Sequence, residues 1–174
     1  HISDNMLKVM RRGLTKSETI DLVAKLRTEV PDIAIRTTFL VGHPGETEAD
    51  FNELLEFVKE SKFDRVGVFT YSEEEGTYAA KNHPDNISES VKNSRLEALM
   101  ELQQDISLNN NIKKEGKTLK VIVDRFEGYY AVGRTEYDSP EVDQEVLISI
   151  IGKKKVKIGD FILVKITQSD NYDL

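Results

Sequence analysis

Few residue types in this chain can do chemistry unaided. It has no cysteine, which removes thiolate ligands, cysteine nucleophiles and disulfides from these residues. The three histidines, His1, His43 and His83, are scattered, with none of the spacing of a paired metal site. What remains is a loop. Ile35 to Val41 is a β-branched, apolar run interrupted only by Arg36 and two threonines, and it reads as a strand buried on both faces. Gly42-His43-Pro44-Gly45 stops it, because glycine permits a tight turn and proline cannot continue a ladder. Thr47-Glu48-Ala49-Asp50 then caps a helix, with an acid in the first turn. Such a loop can cradle a phosphate or a nucleoside, although it matches neither a Walker loop nor GxGxxG. Taken alone, a Gly-Pro turn after a strand is more often just a turn.

The strand adds a second clue. Alternation puts Arg36, Thr38, Leu40 and Gly42 on one face and Ile35, Thr37, Phe39 and Val41 on the other. An arginine inside a buried strand requires a polar partner. A ligand carboxylate would serve, and so would a salt bridge within the protein.

Those residues are positioned by a βαβ unit: the strand, a helix carrying Phe51, Leu54, Leu55 and Val58, and a second strand from Arg65 to Tyr71. In parallel α/β folds, ligands collect at the carboxyl ends of such strands. Ser3 caps a short helix expected over 4–12, and Thr15 with Glu18 opens another that Pro31 ends. Ser72 to Asn86 reads as a polar loop, and Ser88 caps a long helix to about Ile112 with Val91, Leu99, Leu102 and Ile106 available for burial. From Thr118 on, the pattern changes to short strands, LKVIVDRF, YYAVGRT, EVLISI and DFILVKIT, which predict a small antiparallel barrel. The expected fold is therefore α/β followed by all-β, with domains over 1–112 and 113–174.

Net charge is −7, and residues 113–174 hold eleven basic and eleven acidic side chains, so the whole excess lies in 1–112. That argues against a generic polyanion binder. Glu73-Glu74-Glu75 reads as a solvated face, Lys153-Lys154-Lys155 with Lys157 as a hairpin turn guarding a sheet edge, and Tyr129-Tyr130 as barrel packing or a base-stacking pair. No stretch is apolar and long enough to span a bilayer. The chain opens on His1 without an initiator methionine, and is expected to be part of a longer polypeptide.

TTFLVGHPGETEADF followed by FDRVGVFTYSEEEGTYAA resembles the later part of the radical S-adenosylmethionine (SAM) barrel of the methylthiotransferases, and the terminal strands resemble the TRAM domain that ends those proteins. Three segments resemble the branch that modifies a ribosomal protein rather than tRNA: HISDNMLKVMRRG, YSEEEGT with acids in place of an arginine, and GRTEYDSPEVDQ. The resemblance implies the C-terminal part of a partial (β/α) barrel that binds SAM against a 4Fe–4S cluster. It also implies a methylthio group added to the β-carbon of an aspartate in small-subunit ribosomal protein twelve, with a second, auxiliary cluster. Both clusters are held in that family by upstream cysteines, so the fragment alone is expected to be inactive.

Carried over residue by residue, Ser3 approaches the SAM ribose, which its capping role also permits. Leu40 and Gly42 match two positions of a GxIxGxxE pattern beside the adenine, with Thr38 in place of the first glycine and Glu46 one position late. Phe69, Thr70 and Tyr71 offer backbone groups to the adenine edge, and Arg36 is assigned to the methionyl carboxylate. No residue here is assigned a catalytic or metal-binding role. TRAM domains generally bind RNA, but Glu136, Asp138, Glu141, Asp143 and Glu145 crowd one segment and would repel phosphates. Asp138, Glu141 and Asp143 are therefore expected to dock a basic partner, the ribosomal protein or the small subunit, in preference to tRNA. No membrane partner and a cytoplasmic location are expected. The competing readings are a tRNA methylthiotransferase and a non-catalytic binding module.

Overall fold

The computed structural model describes residues 1–140, 142–150 and 156–174, so Glu141 and the lysines at 153–155 lie outside the described residues. The chain forms two compact units, His1–Gln103 and Gln104–Leu174.

The first unit is α/β. Helix α1 (Asp4–Val9) is shorter than expected, and Arg11 beyond it takes a left-handed φ of 57°. Helix α2 (Lys16–Glu29) begins at the Thr15–Glu18 capping box. Strand β1 (Arg36–Val41) leads through the Gly42–Gly45 turn to helix α3 (Glu48–Ser61), which the Thr47–Asp50 capping box opens. Strand β2 (Arg65–Thr70) returns parallel to β1, with Leu40 beside Phe69 and Val41 beside Thr70. The Ser72–Asn86 stretch is not all loop. Thr77 accepts a hydrogen bond from the Ala80 amide and so caps helix α4 (Tyr78–Asn82). Helix α5 (Glu89–Ile112) starts where Ser88 predicts.

Burial corrects the reading of β1. Phe39 and Val41 are buried, but Arg36 and Thr38 are exposed, so the strand is covered on one face only. The covered face meets α3, and Phe39, Phe57 and Phe63 pack edge-to-face or tilted with ring centroids 5.5–6.4 Å apart. Each such side chain contributes about 1.5–3 kcal/mol by leaving water. On α5, Leu99 is buried but Val91 is exposed, and the buried neighbours of Leu99 on that side include Lys92, Arg95 and Gln103.

The second unit is a four-stranded antiparallel sheet, ordered β5-β4-β3-β6, whose curl makes a half-barrel. Its strands are β3 (Thr118–Glu127), β4 (Tyr130–Thr135), β5 (Val146–Ser149) and β6 (Phe161–Lys165). The four predicted strand segments all appear. A bulge in β3 between Val123 and Arg125 bends the sheet. Val121, Val123, Ala131, Val146, Ile148 and Ile166 fill its concave side, together with Leu174. The last residues pair with β5: the Leu147 amide donates to Leu174 O (2.8 Å), and the Leu174 amide donates to Glu145 O (3.0 Å).

Candidate ligand site at the carboxyl ends of the parallel strands

The parallel register puts Gly42 and Tyr71 side by side where β1 and β2 end, and the Tyr71 amide donates to Val41 O (2.8 Å). Gly42 has a φ of 73°, which glycine adopts freely and other residues do not. A Cβ there would overlap Lys92 Cγ and lie 3.1 Å from Lys92 Cβ. The glycine therefore serves the fit of the turn against α5.

Two carboxylates brace this turn from below. Glu46 accepts from the Gly42 amide (2.9 Å) and from Arg95 Nη1 (2.8 Å), with its side chain wholly buried. Burial pushes its carboxyl above the usual range, against the pull of Arg95 and the two loop amides. The late position of Glu46 thus has a structural use, since it folds back onto the glycine four residues earlier. Asp50 accepts from Ser3 Oγ, from Asn5 Nδ2 (3.2 Å), and from the amide (2.9 Å) and hydroxyl (2.6 Å) of Thr47. Burial opposes its charged form, but these donors outweigh it and hold its pKa below the ordinary aspartate value.

On the side of α5, Lys92 is buried, and its ammonium donates to Asp85 (2.6 Å) and Glu89 (2.6 Å) while lying 5.6 Å from the Tyr71 ring centroid. Burial works against its charge, yet the two carboxylates raise its pKa overall. His43 is also buried. Its Nδ1 is 3.0 Å from Pro44 O, its ring packs edge-on to Tyr71 at 4.9 Å, and burial lowers its pKa. The Tyr71 hydroxyl is buried without a hydrogen-bond partner among the described residues, and burial raises its pKa.

The sequence-predicted residues fall into three places. Leu40 and Phe69 adjoin on the uncovered face of β1–β2, where Phe69 is 62 % exposed, and Arg36 and Thr38 lie on the same face. Gly42 and Tyr71 meet at the strand ends, whereas Thr70 belongs to the opposite face. Ser3 is 1 % exposed, and its hydroxyl is committed to Asp50 and to the Met6 amide (3.3 Å). Arg36 is exposed and not, as expected, buried, so its guanidinium carries little desolvation cost.

The acid-rich loop also differs from expectation. Asp138 is buried and accepts from Thr135 Oγ1 (2.6 Å), so its carboxylate fastens the loop and presents no docking charge. Asp143 accepts from the Ser139 amide (2.9 Å), and Glu145 pairs with both terminal nitrogens of Arg125 (2.6 and 2.8 Å). Short polar loops must satisfy their own backbone donors, as Asp143 does here, while Asp138 and Glu145 hold side chains in place. Glu136 is exposed, and Glu141 lies outside the described residues.

Sequence reasoning missed Lys92 and Arg95 as parts of the site. The available signal was their spacing with Leu99, which puts a lysine and an arginine on the buried stripe of a helix. Among the described residues, no group of three or more His, Asp or Glu could hold a metal ion.

Residues 116–174 match the TRAM domain profile. Over all its residues, the chain is similar to three proteins named ribosomal protein uS12 methylthiotransferase RimO. It is 55 % identical to that of Bacteroides thetaiotaomicron, 59 % to that of Phocaeicola vulgatus and 50 % to that of Chloroherpeton thalassium. It spans about 40 % of the length of each of these curated relatives. Along its whole length the chain is thus similar to the C-terminal portion of RimO methylthiotransferases, and its last part matches the TRAM domain.

Proposed function

We propose that this chain is the C-terminal part of a radical SAM methylthiotransferase, and that it supplies one wall of the SAM site together with a substrate-docking TRAM domain. The observation that carries this reading is the pairing of Leu40 with Phe69 on an uncovered sheet face beside the Gly42 turn. An adenine needs an apolar wall and backbone edges, and both meet there, with the unpartnered Tyr71 hydroxyl close to the strand ends. Arg36, on the same face, is assigned to the methionyl carboxylate. Thr70 contributes its backbone only, and Ser3 acts through Asp50 on the shape of the turn.

The residues present fit SAM in part and do not fit an iron–sulfur cluster, since the chain has no cysteine. Two 4Fe–4S clusters would be bound by cysteines of the full-length protein outside these residues, and the chain alone would be inactive. When bound, SAM supplies the radical chemistry that activates the acceptor carbon. The acceptor we assign is an aspartate β-carbon of small-subunit ribosomal protein twelve, met in the cytoplasm on the protein or the small subunit. No helix among the described residues is long and apolar enough to cross a membrane.

A second reading has its own support. On the outer face of the half-barrel, Phe161 and Leu163 are 63 % and 75 % exposed, and Lys120 Nζ lies 4.7 Å from the Phe161 ring centroid. Exposed aromatics interleaved with lysines suit RNA bases and phosphates, which favours a tRNA substrate for the same chemistry.

The test of the SAM wall uses the full-length, cluster-loaded protein. Phe69→Ala and Leu40→Asp should each weaken SAM binding by about tenfold or more, the effect of losing roughly 1.4 kcal/mol of contact. Melting temperature should hold for Phe69→Ala, whose side chain is exposed. Unchanged SAM affinity in both variants would remove this face from the site. Mass spectrometry of ribosomal protein twelve after reaction then separates a methylthio-aspartate from an unmodified chain.

A further inference from the structure

Beside the turn lies a cavity of about 250 Å³ lined by Val9, Met10, Arg11, Arg12, His43, Tyr78 and Ala79. Two guanidinium-bearing residues in succession enter it. The Arg11 guanidinium stacks on the Tyr78 ring, 4.5 Å from the centroid, and its backbone takes a φ of 57°. Arg12 is exposed beside it. Among the described residues no hydrogen bond or ion pair joins either side chain to a carboxylate, in a chain whose net charge is −7. The acids around the same turn are already committed: Asp85 and Glu89 to Lys92, Glu46 to Arg95, and Asp50 to its four donors. The buried His43, whose Nδ1 lies 3.0 Å from Pro44 O, lines the same cavity.

We infer that Arg11 and Arg12 form a carboxylate-binding subsite at the mouth of the Gly42 turn, sized for an amino-acid side chain. A cavity of about 250 Å³ is small for a whole nucleoside ligand, which occupies pockets of roughly 300–1,000 Å³. An arginine held over an aromatic ring is restrained, and its planar fork of donors has the geometry that recognises a carboxylate through two parallel bonds. A left-handed backbone at a non-glycine residue is also costly, and such strain concentrates where it aims a functional group. This inference rests on the proposed methylthio transfer to an aspartate, and it assigns the subsite to the acceptor's carboxylate. The same chemistry is offered by the methionyl carboxylate of SAM, and the experiment separates the two.

The full-length, cluster-loaded protein is titrated with ribosomal protein twelve by fluorescence anisotropy and with SAM by equilibrium dialysis. The double variant Arg11→Gln/Arg12→Gln should weaken binding of ribosomal protein twelve by about tenfold or more, as expected for lost charge-assisted bonds, with SAM affinity unchanged. The pair Arg11→Lys/Arg12→Lys should restore only part of the loss, because the charge returns without the fork. A tenfold loss for SAM alone would keep the subsite and reassign its carboxylate to the methionyl group. No change for either ligand would overturn the subsite. Should the unaltered protein bind SAM but not ribosomal protein twelve, the proposed function fails by itself and the SAM titration alone decides the subsite. Tyr78→Leu removes the platform while leaving both charges, and should give an intermediate loss. It repeats the test at an exposed side chain if the double variant does not fold.

Discussion

Two glycines of one turn separate backbone strain from packing. Gly42 and Gly45 both have positive φ, 73° and 85°. Nothing lies within 4 Å of a Cβ at Gly45, whereas a Cβ at Gly42 meets the Lys92 side chain. Gly45→Ala should therefore cost only the left-handed conformation, about 1 kcal/mol. Gly42→Ala should cost more, about 2–4 kcal/mol, because buried Lys92 must shift off Asp85 and Glu89 as well. Urea denaturation of both variants measures the difference, and equal losses would show that Lys92 yields freely. The same contact changes the meaning of a bulky residue at Gly42. It would disturb the turn through α5 before it reached any ligand. That could not be read in the sequence, because Lys92 lies fifty residues further along and nothing local announces the approach.

Local signals were legible at the level of elements, and distant partners were not. The Thr15–Glu18 and Thr47–Asp50 boxes were read correctly because each closes within four residues. Helix α4 was missed because its five residues sit in a polar stretch with one hydroxyl cap. The faces of β1 alternate as expected, but its exposed face depends on what else covers the sheet, which period-two patterning does not report. Asp50 shows how such elements join: it caps α3 and also receives the Ser3 hydroxyl that caps α1. Its folded pKa lies below the unfolded value of 3.8, so its contribution to stability is full above that value and is lost as pH falls through the lower folded pKa. Asp50→Asn should lower stability at neutral pH and flatten the loss as pH falls below about 4. Denaturant melts across that range, compared with the unaltered chain, check both parts. An unchanged acid slope would mean that other carboxylates carry it.

For the molecule as a whole, the open question is what the TRAM half meets. Its neutral total charge was legible, and so was the cluster of acids, but burial redistributes that cluster. Asp138 is turned inward to Thr135, and Glu145 is tied to Arg125, whose pKa Glu145 and then Glu127 raise further. Glu136 remains as an exposed acid on that loop, while the outer face of the sheet carries Lys120, Phe161 and Leu163. The two candidate partners therefore meet different surfaces. Asp138→Lys should lower the melting temperature, since it strands a charge where a buried hydrogen bond stood. Glu136→Lys should leave melting unchanged. If a basic ribosomal protein docks on the acid loop, Glu136→Lys weakens its binding to the full-length protein by a few-fold, as rim charges do, mainly through a slower on-rate. If RNA is the partner, the same change strengthens binding, and Lys120→Glu with Phe161→Ala weakens it by about tenfold or more, with a salt dependence that becomes shallower. Titration of the full-length protein with ribosomal protein twelve and with a tRNA anticodon stem-loop at matched salt decides between them. Tighter stem-loop binding that Glu136→Lys enhances would overturn the ribosomal-protein assignment in favour of the tRNA one.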